Sequence, residues 1–393
     1  MKKLILIAGL SGAFAGAAHA QSSVTLYGVL DAGIVYANNA HNNAHAPGTS
    51  TSGQNFSLGS GAVSNTLWGL KGSEDLGGGL HAIFKLENGF NLNNGALKQS
   101  NQIFGRQAWV GLQSDQYGTV TLGKQYDSVV DYLGPLSAAG TDFGGNLASH
   151  PFDNDNLNGQ YSINNAVKFQ SANYAGFHFG GLYGFSNSAG SFADNRAFSA
   201  GASYGNGPLN IAAAYLQIDN PGGIGTNPGG AVSSTDGTGD FFGQRQRTFG
   251  AGANYAFGPA TVGFLWTHTK IDQLTGLNLA SNFNALSGNS LRFDNYEVNA
   301  RYFLTPMLSV AGAYTFTDGK FGTKTGDSTL KYHTVSLQSD YALSKRTDVY
   351  LEGVFQRAVG GDGTILGNAD ITGVDPSSTN KQVAVTVGMR HRF

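Results

Sequence analysis

The connections between the strand-like runs of this 393-residue chain alternate in length, and that alternation constrains the fold more than any single motif. Tight turns of Gly, Pro or polar residues fall at "EDLGGG" (74–79), "SDQYG" (114–118), "NYAG" (173–176), "GNGP" (205–208), "AFGP" (256–259), "FLTP" (303–306) and "LSKR" (343–346). This is the chemistry that reverses a chain within a few residues. Long connections rich in Asn, Gly, Ser, Thr and Asp lie near 38–55, 90–102, 126–160, 187–196, 219–246, 271–289, 318–331 and 359–381. Together they mark out about sixteen strands, and an even number of antiparallel strands with short turns at one end and long loops at the other is the pattern of an outer-membrane barrel.

The runs between the turns alternate with the period of a strand. In "HAIFKLE" (81–87), Ala82, Phe84 and Leu86 alternate with His81, Ile83, Lys85 and Glu87. In "QVAVTVGMRHRF" (382–393), Val383, Val385, Val387, Met389 and Phe393 share one face, and Ala384, Thr386, Gly388, Arg390 and Arg392 share the other. A soluble sandwich would turn the apolar face inward; a barrel in lipid turns it outward around a wet interior. Periodicity does not separate the two. The N-terminus does: Lys2 and Lys3, the apolar run Leu4 to Ala18 and the small-residue site Ala18-His19-Ala20 have the layout of a secretory signal peptide, which is removed on export. The expected organisation is a signal peptide over 1–20 and one barrel domain over 21–393.

Composition fits export to an outer membrane. No later run approaches the ~18 apolar residues of a spanning helix. There are no cysteines, so packing and backbone pairing must hold the fold. Charged residues are only 12%, against a usual ~25%. Without Lys2 and Lys3, 21 basic residues face 25 acidic ones, and the absence of a basic surplus argues against nucleic-acid binding.

One connection is anomalous. Between Tyr126 and Gln160 the chain carries five Asp (127, 131, 142, 153 and 155) and no Lys or Arg, and so long an irregular segment in a compact domain is commonly functional. Within it "DNDNLNG" (153–159) resembles a calcium loop, although Leu157 stands where another oxygen ligand belongs. His41 and His45 have i, i+4 spacing but lie in an Asn-rich loop with no third ligand. No nucleophile or acid–base signature is present, and the expectation is a non-enzyme without cofactor or metal.

Four segments carry a family resemblance: "SSVTLYGVLDAGI" (22–34), "WGLKGSEDLGGGLHAIFKLE" (68–87), "GRQAWVGLQSDQYGTVTLGKQYD" (105–127) and "VGMRHRF" (387–393). In this order and spacing they resemble the trimeric general porins of Gram-negative bacteria, in particular the beta-proteobacterial branch, over essentially the whole mature chain. The resemblance implies an all-β transmembrane antiparallel barrel with short periplasmic turns and long extracellular loops. It also implies a water-filled channel for passive diffusion of ions and small hydrophilic solutes. A substrate-specific channel for sugar or phosphate, or a barrel adhesin, are the alternative readings. The partners implied are two further copies in a homotrimer, latched by the second loop (90–102), with outer-membrane lipid and lipopolysaccharide around them.

The same resemblance makes 126–160 the third loop, folded back into the lumen. Thr141-Asp142-Phe143-Gly144-Gly145 stands where relatives often carry P-E-F-G-G, which places Asp142 in the narrowest part of the pore. Asp127 and Asp131 would join it on the acidic side of the constriction. Lys85, Arg106, Lys124 and Lys168 are the candidates for the basic side, since a cation facing lipid at mid-depth costs ~2–4 kcal/mol. Opposed rings of acid and base are a selectivity device of pores. Leu67 and Ser162 replace arginines usual in the family, implying selectivity near neutral or mildly cation-preferring. The terminal Phe393 is implied to be an assembly signal as well as a rim aromatic.

Overall fold

A computed structural model describes residues 23–41, 52–99, 102–141, 143–220, 230–232, 241–279, 282–361 and 363–393. The signal-peptide segment, His45 and Asp142 lie outside the described residues.

The strands in chain order are β1 (Ser23–His41), β2 (Ser52–Ser60), β3 (Leu67–Gly77), β4 (Leu80–Gly89), β5 (Gln107–Ser114) and β6 (Gly118–Gln125). Then come β7 (Ile163–Ser171), β8 (Phe177–Gly184), β9 (Ala197–Asn206), β10 (Leu209–Asp219), the short β11 (Phe241–Phe242) and β12 (Arg245–Phe257). The last six are β13 (Ala260–Leu279), β14 (Asn282–Phe303), β15 (Leu308–Thr323), β16 (Gly326–Ala342), β17 (Thr347–Gly360) and β18 (Lys381–Arg392). Among the described residues, sixteen of these form a closed antiparallel barrel. The other two, β2 and β11, are loop strands that pair onto β1 and β13.

Closure is by β1, which pairs with β3 over Ser23–Val29 and with β18 over Val29–Ala37. The seam is finished by the last residue: Gly28 and Phe393 exchange both backbone hydrogen bonds at 3.1 Å. Among the described residues each of the sixteen barrel strands is paired on both sides, as hydrocarbon requires. All seven tight turns lie between consecutive barrel strands, where the turn chemistry puts them.

Which face is apolar is now settled. On β14, Tyr296, Val298 and Tyr302 point outward and are exposed, whereas Asn295, Glu297 and Asn299 point inward and are buried. The same inversion runs around the wall through Phe264, Tyr314, Leu337, Leu351 and Val387, all exposed. Phe393 lies on this outward face with Val387 and Met389, its ring over Gly28.

Three of the long connections are shorter than the sequence indicates. Strand β1 continues to His41, β13 and β14 extend to within two residues of each other, and β15 and β16 are joined by a turn at 324–325. Beyond the bilayer both faces of a strand can be polar, so outward residues such as Lys270, Asp294 and Lys320 erase the apolar alternation while the ladder continues.

The third loop lies inside. Its apolar residues Val129, Tyr132, Leu133, Leu136 and Leu157 form a core with Leu182, Leu216 and Leu265 of the wall. Higher up, Phe152 packs with Phe293, Leu330 and Tyr332, and with Leu366 of the last loop.

Candidate functional site

The interior consists of two unlike surfaces. One is the third loop, laid against the wall from β9 to β16. Ser128 N–H donates to Ser199 Oγ (3.0 Å), Asn299 Nδ2 to the Leu136 carbonyl (2.9 Å), Ala138 N–H to Glu297 Oε1 (2.8 Å) and Gly144 N–H to Gln338 Oε1 (3.2 Å). Leu147 N–H then reaches the Ala62 carbonyl (3.3 Å), latching the loop to the first one. Gly145 makes this possible: its φ is +50°, and a Cβ there would fall on the Val63 carbonyl. Only glycine takes up that conformation without strain.

A buried ionic knot holds the middle of the loop. His150 Nδ1 is 2.6 Å from Asp155 Oδ2, and His150 Nε2 is 3.0 Å from Glu297 Oε2 on β14. Thr267 Oγ1 donates to Asp155 (2.5 Å), and Asn295 Nδ2 to Asn154 (2.9 Å). Burial alone would lower the His150 pKa, but the carboxylates of Asp155 and Glu297 push it up to about 10. Burial works against the Asp155 carboxylate too, yet His150 holds it below the usual range. Asp155 is thereby committed to the knot, and Asp153 accepts the Asn158 N–H (3.1 Å). The 153–159 stretch therefore uses its acids to shape the loop.

The second surface is the inner face of β1, β3, β4 and β5. At its centre Glu87 accepts from Tyr27 OH (2.8 Å) and pairs with Lys85 Nζ (3.1 Å) and Arg106 Nε (2.9 Å). Lys71 lies directly across from Lys85, and both ammonium groups stand over the Tyr27 ring, at 5.4 and 5.7 Å. Arg106 stacks over Tyr126 at the start of the loop (5.7 Å). Lys71 is exposed and Lys85 half-buried, so this sector borders open lumen.

The residues singled out from sequence divide accordingly. Lys85 and Arg106 come together through Glu87, which sequence reasoning passed over. Lys168 is on the inner face but forms an ion pair with Asp131 and donates to the Tyr126 carbonyl (3.0 Å). Acid and base there are a tether within one wall and do not oppose each other across water. Burial raises the Asp131 pKa while Lys168 opposes the rise. Asp127 has no exposed surface: it caps Val129 N–H (2.7 Å), accepts from Asn156 Nδ2 (2.9 Å) and is pushed up to about 6 by burial. It folds the loop and does not line the lumen.

Lys124 requires a correction. It pairs with Ala108, on the face that carries Val110, Leu122 and Val120 outward, and donates to Asn164 Oδ1 (2.7 Å). It sits at the strand's extracellular end, where an outward cation costs only about 0–1 kcal/mol. Ser162 also differs from expectation, since its buried hydroxyl donates to the Arg106 carbonyl (2.5 Å). Leu67 stands opposite Val29 and Gly89, on the inner face. Asp142 lies outside the described residues; its neighbour Phe143 meets the Arg301 guanidinium at 5.9 Å.

Comparison with known proteins agrees with this geometry. The sequence model of Gram-negative porins matches residues 6–361. An outer membrane porin protein of Bordetella pertussis is 32% identical, with all of both chains covered. Outer membrane porin protein 32 of Delftia acidovorans is 29% identical over 100% of this chain and 99% of that one. The solved anion-selective porin from Comamonas acidovorans superposes with a TM-score of 0.70 at 25% identity, covering 95% of this chain and all of that one. A closed barrel with its apolar face outward and an inner loop, over the full length of such relatives, makes this chain an outer-membrane protein of the Gram-negative porin family.

Proposed function

We propose that the mature chain, from about residue 21 after signal-peptide removal, assembles as a homotrimer of water-filled channels for passive diffusion of ions and small hydrophilic solutes. The observation that carries this reading is the division of the interior: a loop fastened along one wall, facing a polar sector of Tyr27, Lys71, Lys85, Glu87 and Arg106. A sixteen-strand barrel is wide enough for an aqueous channel, and no chemical step is needed. Lys71, Lys85 and Arg106 with Glu87 form the basic side of the constriction, and the family resemblance alone assigns the acidic side to Asp142. Asp127, Asp131 and Lys168 position the loop. Because Glu87 neutralises part of the basic wall and Leu67 adds no charge, selectivity is weak. Lipid, including lipopolysaccharide, surrounds the outward face.

The test is planar-bilayer recording of purified protein. Stable conductance increments in groups of three are expected. Absence of ion conductance would overturn the channel, and single increments would overturn the trimer.

A further inference from the structure

Three neighbouring inward residues on the wall beside the tip of the third loop carry polar atoms that nothing else in the protein bonds. Glu352 on β17 stands directly opposite Gln338 on β16 and Thr386 on β18. All three are buried, Glu352 and Thr386 at 0% exposure. Among the described residues, neither carboxylate oxygen of Glu352 has a hydrogen-bond partner, and neither does Thr386 Oγ1 or Gln338 Nε2. Isolated orphan atoms occur in native interiors. Four on three in-register residues mark a site that a small polar species completes.

The groups around this site are committed elsewhere. Toward the long loops, Val354 and Ala384 pack with Leu147 of the third loop and Ile371 of the last one. Toward the tight turns, Tyr350 OH donates to Asp31, which also accepts from Val63 N–H (3.0 Å) and Ser64 N–H (2.6 Å). Arg390 pairs with Asp348 (2.9 Å) and Asp340 (3.4 Å), and Arg392 with Asp348 (2.7 Å). Arg301 donates to Ser309 (3.3 Å), which stands opposite Asp340. In this layer, among the described residues, Asp31, Asp340, Asp348 and Glu352 thus share the guanidinium groups of Arg301, Arg390 and Arg392. The layer is short of one positive charge, and a buried carboxylate without a counter-charge is costly.

The orphaned atoms select the ligand. Two carboxylate oxygens and a hydroxyl are hard donors, suited to a hard cation. One carboxylate balances one charge, which favours an alkali cation over calcium with its six to eight oxygen ligands. Gln338 Oε1 accepts Gly144 N–H (3.2 Å), so its Nε2 is left to donate to a water carried by the cation. Directly opposed residues hold their Cβ atoms only about 4.5–5.5 Å apart, a spacing for a small ion. Glycine at position 33 keeps the hydroxyl accessible, since a Cβ there would come 2.9 Å from Thr386 Oγ1. We infer that Glu352, Thr386 and Gln338 form a binding site for an alkali cation of about sodium size, buried in the wall and outside the diffusion path. The cation orients Gln338 and with it the bond to Gly144, so its occupancy steadies the loop tip. This inference rests on the loop lying inside the barrel and is independent of conduction through the pore.

The test is hydrogen exchange of the loop-tip peptide 143–149, read by mass spectrometry on the full-length protein in detergent. Exchange is compared in sodium, potassium and choline chloride at equal ionic strength and pH, choline being too large to enter. With sodium at about ten times its dissociation constant, linkage makes the open tip about tenfold rarer, and exchange should slow by about that factor. Potassium should slow it less, and equal or stronger slowing by potassium would overturn the stated size. Glu352→Gln removes the charge and should give the same exchange in all three salts. Thr386→Val should weaken the sodium effect, and it decides the matter if the Glu352 variant does not fold. Equal exchange of the wild type in sodium and choline would overturn the site, leaving a water or a proton to complete Glu352. A sodium effect undiminished by both substitutions would place the cation elsewhere and overturn it as well.

Discussion

His150 Nε2 lies 3.0 Å from Glu297 Oε2, joining the middle of the third loop to the strand wall. Removing one partner of a buried charged contact leaves the others uncompensated, at a cost of about 3–5 kcal/mol. His150→Ala should therefore release the loop locally while the barrel stays closed. Proteinase K should cut within 126–160 in the variant and not in the wild type, and single-channel traces should become noisier. An equally protected loop would show that the backbone contacts suffice.

The same knot sets a pH window. A histidine whose pKa is raised on folding from ~6.5 to about 10 contributes stability fully below the lower value and loses it as pH rises through the upper one. Asp155 is lowered, so its contribution is present above the ordinary carboxylate range and lost as pH falls through its folded value. Loop protection should hold through neutral pH and decline near pH 10, as read by protease susceptibility between pH 6 and 11. The His150→Ala loop should show no such decline.

Selectivity should respond to the charge on the β1–β5 sector. Glu87→Gln leaves Lys85 and Arg106 without their shared carboxylate, and Leu67→Arg adds a cation on the inner face. Each should move the reversal potential in a salt gradient toward anions. The shift should shrink with screening, as the Debye length falls from ~10 Å at 0.1 M to ~3 Å at 1 M. Ser162→Arg should instead lower the yield of folded protein, because its site is buried against the Arg106 carbonyl.

Gly145→Ala tests the latch between the third and first loops. Its φ of +50° and the Val63 carbonyl both exclude a side chain, and such strain costs on the order of 1–3 kcal/mol. The variant should expose the loop tip to protease. Gly353→Ala, on an outward position with open space around it, should behave as wild type.

Phe393 closes the seam through its backbone, which any residue could do, so its ring is the feature to test. Phe393→Ser should accumulate unassembled in cells yet refold from denaturant into detergent with near-normal stability. Normal insertion in cells with poor refolding would assign the ring to barrel stability alone.

The barrel was legible because lipid and turns act locally: each tight turn carries its own Gly or Pro chemistry, and period two marks each wall strand. The loop's interior position came from resemblance, not from periodicity. Lys124 was misplaced although parity with Val120 and Leu122 already put it outward; the cost assumed for a cation in lipid does not apply at the strand's end. Glu87, Glu297 and His150 were missed because their roles depend on which distant segment folds over them. "NYEVNARYF" offered one clue, since Asn295, Glu297 and Asn299 sit at every second position of a strand whose alternate residues face lipid.

The hydrogen bonds that Asn299 donates to the Leu136 carbonyl and Glu297 accepts from Ala138 N–H have a consequence for sieving. A flap hinged at its ends would leave a fluctuating aperture, admitting oversized molecules during rare wide excursions. A segment stitched along its length to the wall behaves as a fixed diaphragm. Its size cutoff should be sharp, and a rejected molecule should gain little by waiting.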